Sequence, residues 1–239
     1  MKREIAAGTL DDYQGVGFVE THQLAKNTCE IKKTFQKAGF ACNPIPGSVT
    51  RKGGVSGGVV GAARVNAAVT LTAPDWCAAS FSGDDWVAMV VRLQKLSVLV
   101  VFAYFHPGAQ NEHDNYQRFW CIVHLKRAMG LATILVADFN KIPEEIRALG
   151  WLSLFQGRIQ TPPVDFTCTS GSSRLIDYAL VSHELQGLVK IKTSTVPWKP
   201  HTGIVIELLG NPLSVTALQH REPQGLPNLA ALRQGRVFQ

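Results

Sequence analysis

A succession of short, β-branched apolar runs, most of them meeting a polar residue at one end, restricts this chain more than any other feature. "GVGFVE" (15–20), "GVVGAARV" (58–65), "WVAMVVRL" (86–93), "LSVLVVFAY" (96–104), "ATILVADFN" (132–140), "RLIDYALVS" (174–182) and "TGIVIELL" (202–209) all have strand length. Helical patterns lie between them. The segment 21–39 aligns Leu24, Ile31, Phe35 and Ala38 and stops at Gly39. The segment 112–130 is apolar at Tyr116, Phe119, Trp120, Val123 and Leu125 and also stops at a glycine. The segment 142–150 opens with Pro143 and early acids and closes at Gly150. The runs 86–93 and 96–104 are close enough to form a hairpin through "QK". Strands interleaved with helices, some of them paired directly, predict a mixed α/β sandwich rather than a purely parallel sheet.

Composition excludes several classes. With 239 residues, 46% of them apolar and 18% charged, the chain has the make-up of one large globular domain. It has no apolar stretch long enough to span a bilayer and no secretory leader pattern at its start, so no membrane partner is expected. The five cysteines are odd in number, scattered and without a CxxC pair, so they read as reduced thiols of an intracellular protein. A net charge of +6 biases the chain toward polyanionic partners, although no run of five like charges sharpens that bias.

The polar residues fall at strand ends, where ligands bind in α/β folds. Glu20 follows the first run, Tyr104 ends the fourth, Asp138 and Asn140 end the fifth, Asp177 lies inside the sixth, and His201 precedes the last. A carboxylate inside an apolar strand is costly unless paired, and a histidine partner for Asp177 is the natural compensation. Glu20 suits a hard cation such as Mg²⁺ (or Mn²⁺). His201, held by Asp177, suits proton abstraction from water. Asp138 and Asn140 suit the positioning of water and a phosphate oxygen, and Tyr104 suits donation to charge developing on phosphorus. Taken singly, Asp138 and Asn140 could equally cap a turn before Pro143.

In this order the elements resemble the endonuclease/exonuclease/phosphatase superfamily, the fold of pancreatic-type deoxyribonuclease and apurinic endonucleases. "GFVETH" is similar to its metal-binding Glu element, "VVFAYFHPG" to its "Y-x-P" strand end, "LVADFN" to "G-D-F-N", "SSRLIDYALVS" to "R-I-D-Y-I-L-V-S", and "KPHTGIVIEL" to the closing "S-D-H-x-P-V" element. The resemblance covers residues 14–208. It implies a four-layer sandwich of two mixed β-sheets flanked by helices. It also implies Mg²⁺-dependent phosphodiester hydrolysis by a monomer acting on nucleic acid or another phosphodiester. Glu20 would be the metal ligand, and His201, Asp177, Asp138, Asn140 and Tyr104 the catalytic set. "TSGSSRLIDYALVS" further resembles the endonuclease domains of non-LTR retroelements.

Three departures stand out. The family pattern begins with a strand ending in Asn, and residues 1–209 read as a domain lacking it, followed by a tail over 210–239 with a short helix at "LPNLAALRQ". Pro200 replaces the Asp ahead of the closing His, and Ala137 replaces the Gly of "GDFN". These departures make a non-catalytic relative that binds nucleic acid or protein the second reading. A remoter one is a serine hydrolase, because "GVSGG" (54–58) matches G-x-S-x-G and Ser56, Asp177 and His201 follow in order. His106 and His113 could also share a metal, although their segment reads first as a surface loop.

Overall fold

A computed structural model describes residues 10, 12–50, 53–65, 69–72 (backbone only), 85–196 and 199–210. All of the expected 210–239 tail beyond Gly210, with its expected helix, and Cys77 lie outside the described residues. The strands are β1 (Gly15–Phe18), β2 (Phe40–Ile45), β3 (Ser48–Val49), β4 (Val55–Ser56), β5 (Val59–Arg64), β6 (Val69–Thr72), β7 (Trp86–Arg92), β8 (Ser97–Tyr104), β9 (Ala132–Asp138), β10 (Gly157–Gln160), β11 (Asp177–Ser182), β12 (Val189–Ser194) and β13 (Gly203–Leu208). The helices are α1 (Thr28–Lys37), α2 (Glu112–Met129), α3 (Pro143–Ala148) and α4 (Trp151–Phe155).

One six-stranded mixed sheet, in the order β10-β11-β9-β8-β7-β6, organises the fold. The β7–β8 hairpin closes through Gln94 and Lys95 as expected, with Arg92 opposite Ser97. Among the described strands only β8 and β9 run parallel, because α2 carries the chain between them. One face of this sheet packs against α2, α3 and α4 through Phe119, Ile122, Leu125, Ile146, Trp151 and Phe155. The other face packs against β12 through Val189 and Ile191, with Ile204, Ile206 and Leu208 of β13 alongside.

The three-stranded sheet β1-β5-β2 joins the same layer through Val59, which clusters with Val87 and Tyr104, and through Gly17. A Cβ on Gly17 would lie 2.1 Å from the Phe102 ring, so a side chain there would force the two sheets apart. Helix α1 covers the outer side of the three-stranded sheet with Ile31 and Phe35 against Phe40, Val60 and Ala62. The result is the expected four-layer sandwich. Its second layer, among the described residues, is in two antiparallel pieces, β1-β5-β2 and β12-β13. No described helix is long and apolar enough to cross a membrane.

Some boundaries differ from the sequence reading. The helix expected from residue 21 begins as an α-helix only at Thr28. Thr21 and His22 instead donate their N–H groups to the Gly58 and Gly57 carbonyls, which prolongs the β1–β5 contact past Glu20. The stripe expected on α2 shifts: Ile122 and Cys121 are buried, whereas Tyr116 is exposed and packs beside Trp120. Strands β2, β3, β4, β6, β10 and β12 and helix α4 lie outside the expected elements. β2 carries Pro44 and lies at a sheet edge, where a missing N–H is tolerated.

Candidate active site

The register of the large sheet places three of the expected residues in one row. Tyr104 on β8 stands opposite Asp138 on β9, and Asp138 stands opposite Asp177 on β11. The adjacent row of Ala103, Ala137 and Tyr178 belongs to the helix-side core, so the Tyr-Asp-Asp row points to the other face. The substitution of Ala137 for the family glycine therefore fills core and leaves the site face unchanged.

Two more residues reach the row from the second layer. Glu20 follows β1 with φ of +52°, a left-handed conformation uncommon for a residue with a Cβ. The bonds of Thr21 and His22 to the Gly58 and Gly57 carbonyls hold it there. The Tyr104 hydroxyl donates to Glu20 Oε1 at 3.0 Å. His201 precedes β13. Its Nδ1–H donates to Asp177 Oδ2 at 3.0 Å, with Oδ1 at 3.2 Å, which fixes the tautomer and leaves Nε2 facing the site. His201 Nε2 lies 3.7 Å from Glu20 Oε2 and 3.9 Å from Asp138 Oδ2. Asn140, with φ of +50°, donates its N–H to Asp138 Oδ1 and its amide to the Phe105 carbonyl. All six expected residues are thus brought together.

The electrostatics follow from this crowding. Asp138 is buried, and burial first, then the Asp177 charge and more weakly Glu20, push its carboxyl up to about 8, against the opposing pull of His201 and the Asn140 N–H. His201 is raised to about 9, first by the hydrogen bond to Asp177 and then by the charges of Asp177, Asp138 and Glu20, with burial opposing. Tyr104 is raised by burial and by Glu20 and Asp138, so its hydroxyl keeps its proton and remains a donor. Three carboxylates converge on one imidazole.

That excess of negative charge is what a cation would relieve. Ligand atoms of Glu20, Asp138 and His201 all lie within 4.8 Å of one another. The two carboxylate oxygens suit a hard divalent cation, and the imidazole nitrogen beside them stays free for proton transfer. Pro200, in the position of the family's Asp, offers no side-chain ligand, and its carbonyl is taken up by Thr169.

Other expectations fare differently. Ser56 is not partnered by His201 or Asp177, because its Oγ faces His106 Nδ1 at 3.4 Å. "GVSGG" holds strand β4 of the β3–β4 hairpin and its exit into β5, not a strand-to-helix elbow. His106 and His113 do not pair either, since His106 binds Asp85 and His113 binds Gln117. Two contributors escaped the sequence reading. Thr167, buried, accepts the N–H groups of Ile176 and Asp177 on its hydroxyl and that of Thr202 on its carbonyl, tying the Asp177 strand to the His201 loop. His22 Nε2 stands 3.7 Å from Glu20 Oε1. Neither carries a local signal beyond being a polar residue in a loop. An open hollow of about 460 Å³, lined by residues including Glu144, Arg147, Asp165 and Arg174, contains none of the six.

No family model and no curated protein matches this sequence. Solved structures do match. A 3′ phosphatase from Neisseria, NExo, solved with a product DNA hairpin, aligns over 87% of this chain and 94% of its own at 15% identity, with a TM-score of 0.61. An endonuclease/exonuclease/phosphatase family protein from Leptotrichia buccalis aligns over 87% and 92% at 18% identity, with a TM-score of 0.59. The endonuclease domain of TRAS1, a telomere-specific non-LTR retrotransposon, aligns over 81% and 98% at 14% identity, with a TM-score of 0.54. Together with the row Tyr104-Asp138-Asp177 and the layers around it, these matches show that the chain has the endonuclease/exonuclease/phosphatase fold.

Proposed function

We propose that the protein is a metal-assisted phosphodiesterase acting on nucleic acid. The observation that carries this reading is the convergence of Glu20, Asp138 and the Asp177–His201 pair within hydrogen-bond or ligand distance of one another. Glu20 and Asp138 would hold Mg²⁺ or Mn²⁺, which when bound supplies charge neutralisation at a phosphate oxygen. His201 Nε2, oriented by Asp177, takes a proton from the attacking water. Compensation of Glu20 and Asp138 by a cation removes two of the charges that raise His201, so the free base becomes accessible nearer neutral pH. Asn140, anchored to Asp138 and Phe105, positions a phosphate oxygen. Tyr104, held protonated, turns its hydroxyl from Glu20 to a phosphoryl oxygen once Glu20 is taken up by the cation.

The structural neighbours, which include a 3′ phosphatase with DNA and a retrotransposon endonuclease domain, support the reaction class. Pro200, which removes a carboxylate from the family pattern, favours a second reading, a relative that binds nucleic acid without cleaving it. The test is nicking of supercoiled plasmid with Mg²⁺ or with EDTA, alongside His201→Ala and the exposed control His113→Ala. Mg²⁺-dependent nicking lost in His201→Ala alone supports the proposal. Plasmid binding without nicking under any condition overturns it in favour of the second reading.

A further inference from the structure

Next to the six residues lies a second polar group that takes no part in the reaction just described. Asp85, ahead of β7, is buried. Its Oδ1 accepts the Gly58 N–H at 2.5 Å, and its Oδ2 accepts the Nε2–H of His106 at 2.5 Å, with Arg118 Nη2 3.8 Å away. Gly57 and Gly58, at φ +74° and +88°, make this approach possible, because a Cβ on Gly57 would lie 2.5 Å from Asp85 Oδ1. Asn115 on α2 clamps His106 from the other side. It accepts the His106 N–H at 2.9 Å and donates to the His106 carbonyl at 2.7 Å, and Arg118 Nη1 donates to the same Asn115 oxygen at 2.8 Å.

This imidazole is held at its backbone and at one ring nitrogen, so its other nitrogen has a fixed direction. Nδ1 faces Ser56 Oγ at 3.4 Å on the β3–β4 hairpin. Two contact paths tie the pair to the candidate site. The His106 ring rests edge-on against Tyr104, with centroids 4.9 Å apart, and Tyr104 donates to Glu20. On the hairpin side, the carbonyl of Val55 accepts His22 Nδ1–H at 2.7 Å, and His22 Nε2 faces Glu20.

We propose that Ser56 and His106 form a phosphate subsite that takes the backbone phosphate next to the scissile one in the same nucleic-acid strand. This rests on the phosphodiesterase reading above. Arg118 Nη2 lies 3.8 Å from Asp85 Oδ2, so the buried carboxylate is offset from inside the fold and repels an anion outside it less. An anion seated there receives two donors, the Nδ1–H of His106 and the Oγ–H of Ser56. The arrangement also resembles a Ser-His-Asp relay, but the Gly58 N–H, which could otherwise face an oxyanion, is turned inward to Asp85. That disposition favours binding over nucleophilic attack. Asp85 and Asn115 are positioning residues.

The test is binding of a short single-stranded oligonucleotide in EDTA, followed by fluorescence anisotropy. A neutral methylphosphonate replaces one linkage at a time along the strand. In the unaltered protein, one linkage beside the site should lose about tenfold in affinity when neutralised. Ser56→Ala and His106→Gln should each weaken the unmodified strand and abolish the penalty at that linkage alone, with circular dichroism unchanged. Ser56→Ala, at a half-buried position on the short β3–β4 hairpin, keeps the test valid should His106→Gln unfold. Equal penalties in variant and unaltered protein overturn the subsite and leave the phosphodiesterase reading standing. Failure to bind any oligonucleotide, with or without Mg²⁺, overturns both.

Discussion

Asp177→Asn separates the chemistry of the site from the stability of the fold. Asp177 accepts the His201 Nδ1–H at 3.0 Å and is the leading charge that raises Asp138. Loss of the carboxylate removes a charge-assisted hydrogen bond of about 1.5–3 kcal/mol. It also relieves the opposition of the Asp138 carboxylate, about 3 kcal/mol at roughly 5 Å and an effective dielectric near 20 when both are ionised, and about half of that at pH 8, where Asp138 is half protonated. These effects nearly cancel, so at pH 8 in EDTA the variant should melt within about 5 °C of the unaltered protein. Hydrolysis should nevertheless fall by about 10³, since the amide no longer fixes the tautomer and orientation of His201. Parallel thermal melts and plasmid-nicking rates decide the matter. A drop in Tm beyond about 10 °C would show that Asp177 is a structural keystone, and activity within about tenfold of normal would remove His201 from the role of general base.

Divalent cation at a hundredfold excess over Kd should stabilise the protein by about 2.7 kcal/mol, or roughly 5–10 °C in Tm, and Glu20→Gln should largely remove that shift in differential scanning fluorimetry. Without metal, stability should fall as pH rises from about 4 to 9. Asp138, raised from 3.8 to about 8, and His201, raised from 6.5 to about 9, both bind protons more tightly folded than unfolded, so each loses its contribution between its two values. A Tm in EDTA that is flat or rising over the window contradicts this. Gly17→Ala, whose Cβ would meet the Phe102 ring, should cost about 1–3 kcal/mol in urea unfolding and be partly rescued by Phe102→Ala.

The legible part of this protein is what the large sheet dictates. Tyr104, Asp138 and Asp177 each adjoin a long apolar run, so their strand positions follow from the pattern, and the register that aligns them follows from β8, β9 and β11 being buried on both faces. Less was legible where local patterns are short or broken. β12 alternates buried Val189 and Ile191 with exposed Lys190 and Lys192, a true period of two, but over too few residues to stand out. The helix expected from residue 21 began late because hydrogen bonds to Gly57 and Gly58 outweighed helical propensity at Thr21 and His22. Ser56, His106 and Asp85 meet only through tertiary contacts between separate loops and strands, and nothing in "FSGDDW" distinguishes Asp85 from a solvated loop acid. Thr167 acts through one hydroxyl and one carbonyl, and no periodicity encodes that.

The single row that joins Tyr104, Asp138 and Asp177 also governs when the site can come into being. A slip of one residue in β9 would turn Asp138 toward the face where Phe139 stacks on Phe105 and Tyr178, and would carry an apolar side chain into the row. Those stacked rings make the slipped pairing costly, so the aromatic layer proofreads the alignment of the carboxylates on its far side. The β9–β11 pairing spans a long separation in the chain and belongs to the slow, non-local part of assembly. Refolding after dilution from urea should therefore restore metal binding together with the last tertiary signal of the core, and not with the early recovery of helix.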